Sequence, residues 1–330
     1  MKRLFQGIVL FAIFLLCFQS VYSAEKIRKT NRTFPFRDGG KLVLRAGDAD
    51  VSISTWKNNE ILLEITKRAH APSSEKAEAL LDAIVTNIQR RPDFIKIVEN
   101  SPNEHFSLFD LLSPEYWENR NQRFSVAFKV TVPEHSNLKI ETDGGDITIR
   151  DASGEIQAKT NDGDIEIRRC SAALITLDSG DGDILVSHVP LQNGNRSRLF
   201  FETGEGRVKI KYSTFEKISG KTNEGDLYLV SSSVGTLDFH SNEGDVEAVI
   251  SPVKLPTWRV RTGEGNILLV VPQNFSAGLD FFTDEGTIYS DFKIPIHDRE
   301  DGAVCKTDLN GGTGRVVLKS NEGDIRLEIQ

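Results

Sequence analysis

Apolar and polar side chains alternate in short runs along most of this chain, and the runs come in pairs separated by a glycine. In residues 221–230, KTNEGDLYLV, the apolar Leu227 and Leu229 stand two and four positions after Gly225. A second alternating run lies five and seven positions before the glycine in most copies. A period of two indicates a strand with one buried face. Each unit is therefore predicted to be a strand, a tight turn, a second strand and a connection.

This unit recurs nine times between residue 138 and the C-terminus. The central glycines are Gly145, Gly163, Gly182, Gly206, Gly225, Gly244, Gly265, Gly286 and Gly323. Successive glycines are 18 to 24 residues apart, except for a gap of 37 residues before the last copy. Three positions before each glycine stands Ser or Thr, and two positions before it stands Asn, Asp or Gly. Because Asn, Asp and Gly accept positive φ most readily, we expect the chain to turn there with positive φ.

Two architectures fit such a unit. If the turn closes a hairpin, the chain is an antiparallel meander or a propeller. If the turn is a corner, successive units stack as rungs of a parallel β-solenoid. Stacking places equivalent residues above one another and would explain why the columns are so uniform, whereas a hairpin needs no such uniformity. The sequence therefore favours an all-β fold, a parallel β-solenoid of ~19-residue repeats with one inserted N-terminal helix.

The residues before the regular copies follow the pattern less strictly. Residues 42–53 fall onto the repeat columns with Ala49 in the place of the glycine, which predicts a degenerate first rung. Residues 100–122 hold two prolines and several aromatic residues, and they are predicted to form a long ordered loop or a mobile flap. Residues 124–132 alternate again and predict a strand that precedes the regular repeats.

A single helix is predicted between these segments. Ser73 and Ser74 offer an N-cap, and Arg90 and Arg91 stand in the last turn before Pro92. The apolar face of this helix consists of Ala77, Leu81, Ile84, Val85 and Ile88. An apolar face needs something to cover, so we expect the helix over residues 73–91 to cap the exposed end of the solenoid core.

The first residues carry the features of a signal peptide. Lys2 and Arg3 precede an apolar run over residues 8–18, and Val21 and Ser23 are small residues before a cleavage site. The run is about half the ~20 residues that a spanning helix needs, so we expect cleavage after residue 23 and no membrane span thereafter. The net charge of −8 becomes −10 without Lys2 and Arg3, which argues against nucleic acid or an anionic membrane as a partner.

Two cysteines, Cys170 and Cys305, remain after cleavage. They lie in different repeats, so a disulfide and a pair of buried thiols are both open, with the thiols favoured.

The serial units resemble those of a bacterial family known as putative adhesins, which are exported proteins with repeats of the form T-x-[ND]-G-D-[IV]-x-[IV]. The resemblance covers about residues 124–330 and, more weakly, residues 41–65. Arg207, Asn266 and Thr287 depart from the pattern because they replace the aspartate after the glycine. The resemblance implies a solenoid-like stack and a role in adhesion or envelope processes, and it brings no catalytic residues.

Candidate chemistry is confined to the acidic turns. The six histidines are scattered, and no H-E-x-x-H, C-x-x-C or phosphate-binding glycine pattern is present. An acidic residue stands before the glycine in eight copies and after it in six. These carboxylates predict a solvated acidic surface, and the alternative is a calcium site where Asp178, Asp181 and Asp183 lie close together.

These features predict a non-catalytic binding or structural protein, without a required cofactor, that is periplasmic, extracellular or on the cell surface. Its expected partner is a cell-surface protein or glycan. The predicted segments are a signal peptide (1–23), a degenerate region with the helix and loop (24–135) and the repeat domain (136–330). The alternative is a polysaccharide-processing enzyme that uses residues 100–122 as a flap over an acidic groove, with one carboxylate in an apolar pocket.

Overall fold

The computed structural model describes residues 24–101, 123–190 and 197–330, and the regular elements within them are 25 strands and one helix. The predicted signal peptide and nearly all of the predicted loop over residues 100–122 lie outside the described residues. In chain order the elements are β1 (Ala24–Pro35), β2 (Lys41–Arg45), β3 (Asp50–Trp56), β4 (Glu60–Ala71), α1 (Ser74–Ala83), β5 (Val85–Arg91), β6 (Phe94–Asn100), β7 (Arg123–Pro133), β8 (Asn137–Glu141), β9 (Ile147–Arg150), β10 (Ile156–Thr160), β11 (Ile165–Arg168), β12 (Leu174–Ser179), β13 (Ile184–Ser187), β14 (Arg198–Thr203), β15 (Val208–Lys211), β16 (Thr214–Thr222), β17 (Leu227–Glu243), β18 (Val246–Glu264), β19 (Ile267–Val271), β20 (Ala277–Glu285), β21 (Ile288–Ser290), β22 (His297–Asp298), β23 (Ala303–Leu309), β24 (Arg315–Glu322) and β25 (Ile325–Ile329).

Strands of successive repeats pair in parallel and in register. Ile156 of β10 pairs with Leu138 of β8 on one side and with Ile175 of β12 on the other. The strand after the turn stacks in the same way, because Ile165 of β11 pairs with Ile147 and Ile184. We call the strands before the turns the first sheet and those after the turns the second sheet. The turn is thus a corner, the parallel β-solenoid is confirmed, and the hairpin alternative is wrong.

The core lies between the two sheets and is filled by the alternating apolar residues. The predicted inward positions of both strands are buried in nearly every repeat, with Trp258, Phe239 and Phe281 among the largest fully buried side chains. Gly220 occupies one inward position, where a Cβ would stand 2.0 Å from the ring of Phe201. Absence of a side chain there makes room for that ring, as expected for a close-packed core.

The order of the rungs in space differs from their order along the chain at the C-terminal end. β24 pairs with β18 on one side and with β20 on the other, so the last repeat lies between two earlier ones. The 37-residue gap in the glycine spacing contains β23, which pairs antiparallel with β20. The sequence did not predict this insertion, because stacked rungs share one pattern of side chains wherever they lie in the stack.

The degenerate first rung is confirmed. β2 pairs with β8, and β3 pairs with β9, so residues 41–53 stack directly against the first regular repeat. On the other side β2 and β3 pair with β6 and β7, which are joined by residues 101–122 instead of a short turn. Ala49 therefore stands where the glycine column ends.

The chain divides into two compact units, and each is described by itself. The larger unit holds residues 30–65, 86–100 and 126–330, which include the rungs just described. Of the described residues, the smaller holds 24–29, 66–85, 101 and 123–125, and α1 belongs to it. Within the smaller unit, Ala77 and Leu81 of α1 pack on Ala69 and Ala71 of β4.

The helix is shorter than the sequence predicted. The side chain of Ser73 accepts a hydrogen bond from the amide of Lys76, which confirms the N-cap. The helix ends at Ala83, however, and residues 85–91 form β5, so the placement of Arg90 and Arg91 in a last helical turn is wrong. Ile84, Val85 and Thr86 are three consecutive β-branched residues, which favour a strand. The role of α1 as a cap on the solenoid core stays a prediction.

Cys170 and Cys305 are free and buried, as favoured from the sequence. No helix in the described part of the chain is long and apolar enough to cross a membrane.

Candidate functional site

The central glycines stack in a column in which no side chain fits. A Cβ added at Gly182 would lie 2.0 Å from the carbonyl oxygen of Gly163, and one added at Gly206 would lie 2.0 Å from that of Gly182. The column follows the order of the rungs in space, since Gly286 faces Gly323 and Gly323 faces Gly265. Close approach of neighbouring backbones therefore explains the glycines from rung to rung.

The expected positive φ two positions before the glycine is wrong. Among the described residues, those other than glycine with positive φ are Asp151, Arg169, His188, Tyr212, Ser231 and Asn310, and none of them belongs to that column. The backbone of that column instead bonds to the next rung, as where the amide of Asn242 donates to the carbonyl of Asn223. At the glycines of this column the turns lie close together, and a Cβ at Gly180 would stand 2.3 Å from the carbonyl oxygen of Asn161.

The hydroxyl column three positions before the glycine is buried, and eight of its nine members are bonded to the backbone, while Ser241 accepts from the hydroxyl of Thr222. Its members are Thr142, Thr160, Ser179, Thr203, Thr222, Ser241, Thr262, Thr283 and Ser320, and all nine are buried. The hydroxyl of Ser179 accepts from the amide of Gly182 and donates to the carbonyl of Gly163, both at 3.1 Å. Such bonds satisfy the turn amides and carbonyls inside the corner. The column holds one rung on the next, so Ser179 is a structural serine.

The aspartates that follow the glycine form a second column of hydrogen bonds. The carboxylate of Asp146 accepts from the amide of Asp164 at 2.9 Å, and the carboxylate of Asp164 accepts from the amide of Asp183 at 2.8 Å. Asn266 takes the same part, because its side-chain oxygen accepts from the amide of Asp324 at 3.0 Å. We call this set, Asp50, Asp146, Asp164, Asp183, Asp226, Asp245, Asn266 and Asp324, the aspartate column. Its function in the fold is to satisfy the next rung's amide at the corner.

Two carboxylates of the aspartate column, Asp324 and Asp183, interact with side chains that replace an aspartate in a neighbouring rung. The hydroxyl of Thr287 donates to Asp324 at 2.7 Å, and this bond holds the pKa of that carboxyl below its usual value. Arg207 replaces an aspartate and cannot accept a bond, but its guanidinium lies 2.7 Å from the carboxylate of Asp183.

The three candidate calcium ligands are largely engaged elsewhere. Asp178 pairs with Lys159 at 2.6 Å, and Asp183 pairs with Arg207, while Asp181 is exposed. Across residues 24–101, 123–190 and 197–330, no group of three His, Cys, Asp or Glu side chains is placed to hold a metal ion. The calcium site at Asp178, Asp181 and Asp183 gains no geometric support and stays a prediction.

A second corner, missed from the sequence, lies six residues after the glycine. Asp151, Arg169, His188, Tyr212 and Ser231 stand there in successive rungs with φ between 47° and 63°. Bulky residues are uncommon in this region of φ, and here two pairs of neighbouring rungs are joined by their side chains. Arg169 donates to Asp151 at 2.7 and 2.9 Å, which lowers the pKa of that carboxyl, and the rings of His188 and Tyr212 are 5.4 Å apart.

The residues directly after this corner form a buried column, and Cys170 is one of them. The hydroxyl of Ser213 donates to the carbonyl two residues before it at 2.7 Å, and the thiol of Cys170 makes the equivalent contact at 3.4 Å. Burial raises the pKa of the Cys170 thiol to about 11, so the thiolate is scarce at neutral pH. In the five rungs that have this corner, the sequence signal was a buried residue directly after Asp151, Arg169, His188, Tyr212 or Ser231.

The exposed outer face of the first sheet carries a groove of about 420 Å³. Phe200 and Thr176 line one side, while Asp238, His240 and Lys221 line the other. Groove residues differ from rung to rung, unlike those of the columns inside the corners. The repeat pattern therefore gave no signal for the groove.

In the described segments, three carboxyl groups have a clearly shifted pKa, and in each of them the pKa is lowered. Burial by itself would raise the pKa of Glu141, but Lys139 and Arg45 together lower it. The pKa values of Asp151 and Asp324 are lowered as well. A general acid at neutral pH needs a raised pKa, so these three groups do not supply one.

A family model describes this architecture, and it matches residues 22–328. The chain belongs to the Toastrack DUF4097 family. The match spans the degenerate rung, the helix and all nine repeats. A comparison of this Toastrack protein with curated proteins found no match.

Several solved structures are similar to the Toastrack chain at low identity. A putative cell adhesion protein from Clostridium sporogenes is 11% identical, with 92% of this chain and 100% of that chain covered and a TM-score of 0.22. A putative adhesin from Bacteroides fragilis is 10% identical, with coverage of 73% and 97% and a TM-score of 0.35. A putative lipid binding protein from Parabacteroides distasonis is 12% identical, with coverage of 92% and 94% and a TM-score of 0.28.

Proposed function

We propose that this Toastrack protein is exported and acts in the cell envelope as a non-catalytic binding protein, with a cell-surface glycan or protein as its partner. The observation that carries the proposal is the use of the repeated polar side chains. The hydroxyl and aspartate columns are bonded to the backbone of neighbouring rungs. They hold the stack together and do not form a reaction centre.

Chemical variety is found instead on the outer faces of the sheets. A stack of rungs presents there one row of side chains per column, about 4.8 Å apart from strand to strand. Such a surface suits an extended ligand, because the ligand can contact several rungs at once. The basic n-region and apolar run within residues 1–23 support export.

The proposal is tested with purified protein on an array of bacterial envelope glycans and by capture from solubilised envelope fractions. We expect saturable binding to at least one glycan or envelope protein, with the ligand recovered chemically unchanged. Recovery of shortened glycan, with turnover by catalytic amounts of protein, would establish the enzyme alternative and overturn the proposal. Absence of binding to either class of partner would also overturn it.

A further inference from the structure

One column on the outer face of the first sheet changes its charge pattern halfway along the solenoid. The column lies four positions before the central glycine. In stacking order it reads Arg45, Glu141, Lys159, Asp178, Glu202, Lys221, His240, Arg261, Lys319 and Phe282. The half that contains β2, β8, β10, β12, β14 and β16 mixes signs and holds three ion pairs, Arg45 with Glu141, Lys159 with Asp178, and Lys221 with Glu202.

The other half contains only basic residues before the column ends at Phe282. His240 pairs with Arg261, and Arg261 pairs with Lys319, in the register of adjacent parallel strands. We call these three exposed residues the basic row. In the part of the chain that the structure describes, neither Arg261 nor Lys319 forms an ion pair with a carboxylate. The Lys319 ammonium instead lies 6.0 Å from the centroid of the Phe282 ring.

Like charges on directly opposed strand positions destabilise a sheet. The rest of the same column shows that the fold accommodates alternating charge at these positions, with ion pairs as the result. The direct opposition of Arg261 and Lys319 therefore costs stability that the ion-paired half of the column avoids, which is typical of residues retained for a ligand.

Further cations border the basic row. Arg259 lies 4.0 Å from Asp238, and Arg315 lies 3.7 Å from Asp280. These separations exceed hydrogen-bond length, and exposed ion pairs of this kind are weak, so both guanidinium groups can turn to a ligand. The guanidinium of Arg299 lies 5.4 Å from the centroid of Phe282, beyond the end of the row.

We propose that the basic row binds a linear acidic polysaccharide laid along the stacking direction of the rungs. The cations Arg261 and Lys319 lie on adjacent strands at the strand spacing of about 4.8 Å, which suits a chain with one carboxylate or sulfate at each sugar. Arginine forks and a lysine ammonium are the usual partners of such anions. This inference rests on the proposed binding function and names the chemical class of its ligand.

The neighbouring corner limits the ligand to a narrow chain. The exposed Glu243, Glu264, Glu322 and Glu285 run parallel to the basic row, three residues further along each strand. Three residues of extended chain span about 10 Å, close to one screening length at physiological salt. A wide or densely charged polyanion such as duplex DNA would meet these carboxylates, whereas a single polysaccharide chain would not.

The test compares two double variants of the purified protein that change the net charge equally and lie in the same column. Arg261→Gln with Lys319→Gln removes two cations of the basic row, while Arg45→Gln with Lys159→Gln removes two ion-paired cations from the other half. Binding to linear polygalacturonate and to neutral dextran of equal length is measured at 0.15 M salt. We expect binding of polygalacturonate over dextran, at least about tenfold weaker in the first double variant and within about twofold of wild type in the second.

An equal loss of polygalacturonate binding in both double variants would show that binding depends on net charge and not on the basic row, and it would overturn the inference. Equal binding of dextran and polygalacturonate, or no binding of polygalacturonate, would overturn it as well. Urea unfolding provides a second readout, because removing like charges should leave the midpoint of the first double variant unchanged or higher. If the protein does not bind polygalacturonate but binds other glycans on the array, the proposed function is supported and only this inference is wrong.

Discussion

Replacement of Gly206 by alanine is expected to destabilise the solenoid through a collision between two backbones. The added Cβ would lie 2.0 Å from the carbonyl oxygen of Gly182 and 2.5 Å from its carbonyl carbon. An ordinary contact between such atoms is about 3.5 Å, so the two rungs must separate by roughly 1.5 Å at the corner. The obstacle is main chain, and no side-chain rotation relieves it.

The expected loss is about 3 kcal/mol in the free energy of unfolding, at the upper end of typical overpacking. Gly47→Ala is the matched control, since the nearest atom to its added Cβ is the Glu99 carboxylate at 3.7 Å, an ordinary contact. There the alanine restricts the unfolded chain, and we expect a change between zero and a gain of about 1 kcal/mol. Urea titration of both variants gives the difference. Equal midpoints would refute the collision as the reason for the glycine column.

The remaining predictions concern the columns, the thiol and the inserted rung. Asp164→Asn keeps an acceptor for the amide of Asp183 and should change the stability by less than about 0.5 kcal/mol, whereas Asp164→Leu should cost about 1 kcal/mol in urea titration. The pKa values of Asp151 and Asp324 are lowered in the fold, so the stability that these carboxylates contribute is complete above their unfolded pKa of about 4 and is lost as the pH falls through their folded pKa values. Asp324→Asn should therefore reduce the slope of the unfolding free energy against pH below about pH 4, measured by urea unfolding. Cys170→Ser should leave the melting temperature within about 3 °C, since serines make the same contact in later rungs, and the wild-type thiol should resist a thiol reagent until the protein unfolds. Deletion of residues 315–330 removes β24 and β25 from between β18 and β20, and light scattering should then show association through the bared strand edges; a monodisperse product would contradict that role of the last rung.

Periodicity alone was enough to predict the rungs, their buried positions and the first degenerate copy. Each of these depends on side chains that repeat, such as Ile165 and Ile167, and a repeat is visible in a single sequence. The reason for the glycines was not predictable in the same way. Gly182 is a glycine because its main chain lies close to that of Gly163 in the neighbouring rung. A positive φ would also select glycine, so the sequence does not distinguish the two causes.

Features that break the period were predicted poorly. The change from α1 to β5 after Ala83 depends on local β-branched residues within a pattern that also suits a helix. The insertion of β24 beside β18 depends on which edge the chain returns to. The basic row was hidden because each of its members is an ordinary exposed residue until the rungs are stacked in their true order.

The central claim is that the repeats form a parallel stack in which the last rung lies between two earlier ones. Spin labels on exposed positions of the corners measure this directly, in a background where Cys17, Cys170 and Cys305 are replaced by serine. With one label at Asp162, the second at Glu322 lies six rungs away and that at Glu285 lies seven, so we expect separations of about 29 and 34 Å at 4.8 Å per rung. A shorter distance to Glu285 than to Glu322 would contradict the inserted rung, and distances that do not grow with rung number would contradict the parallel stack.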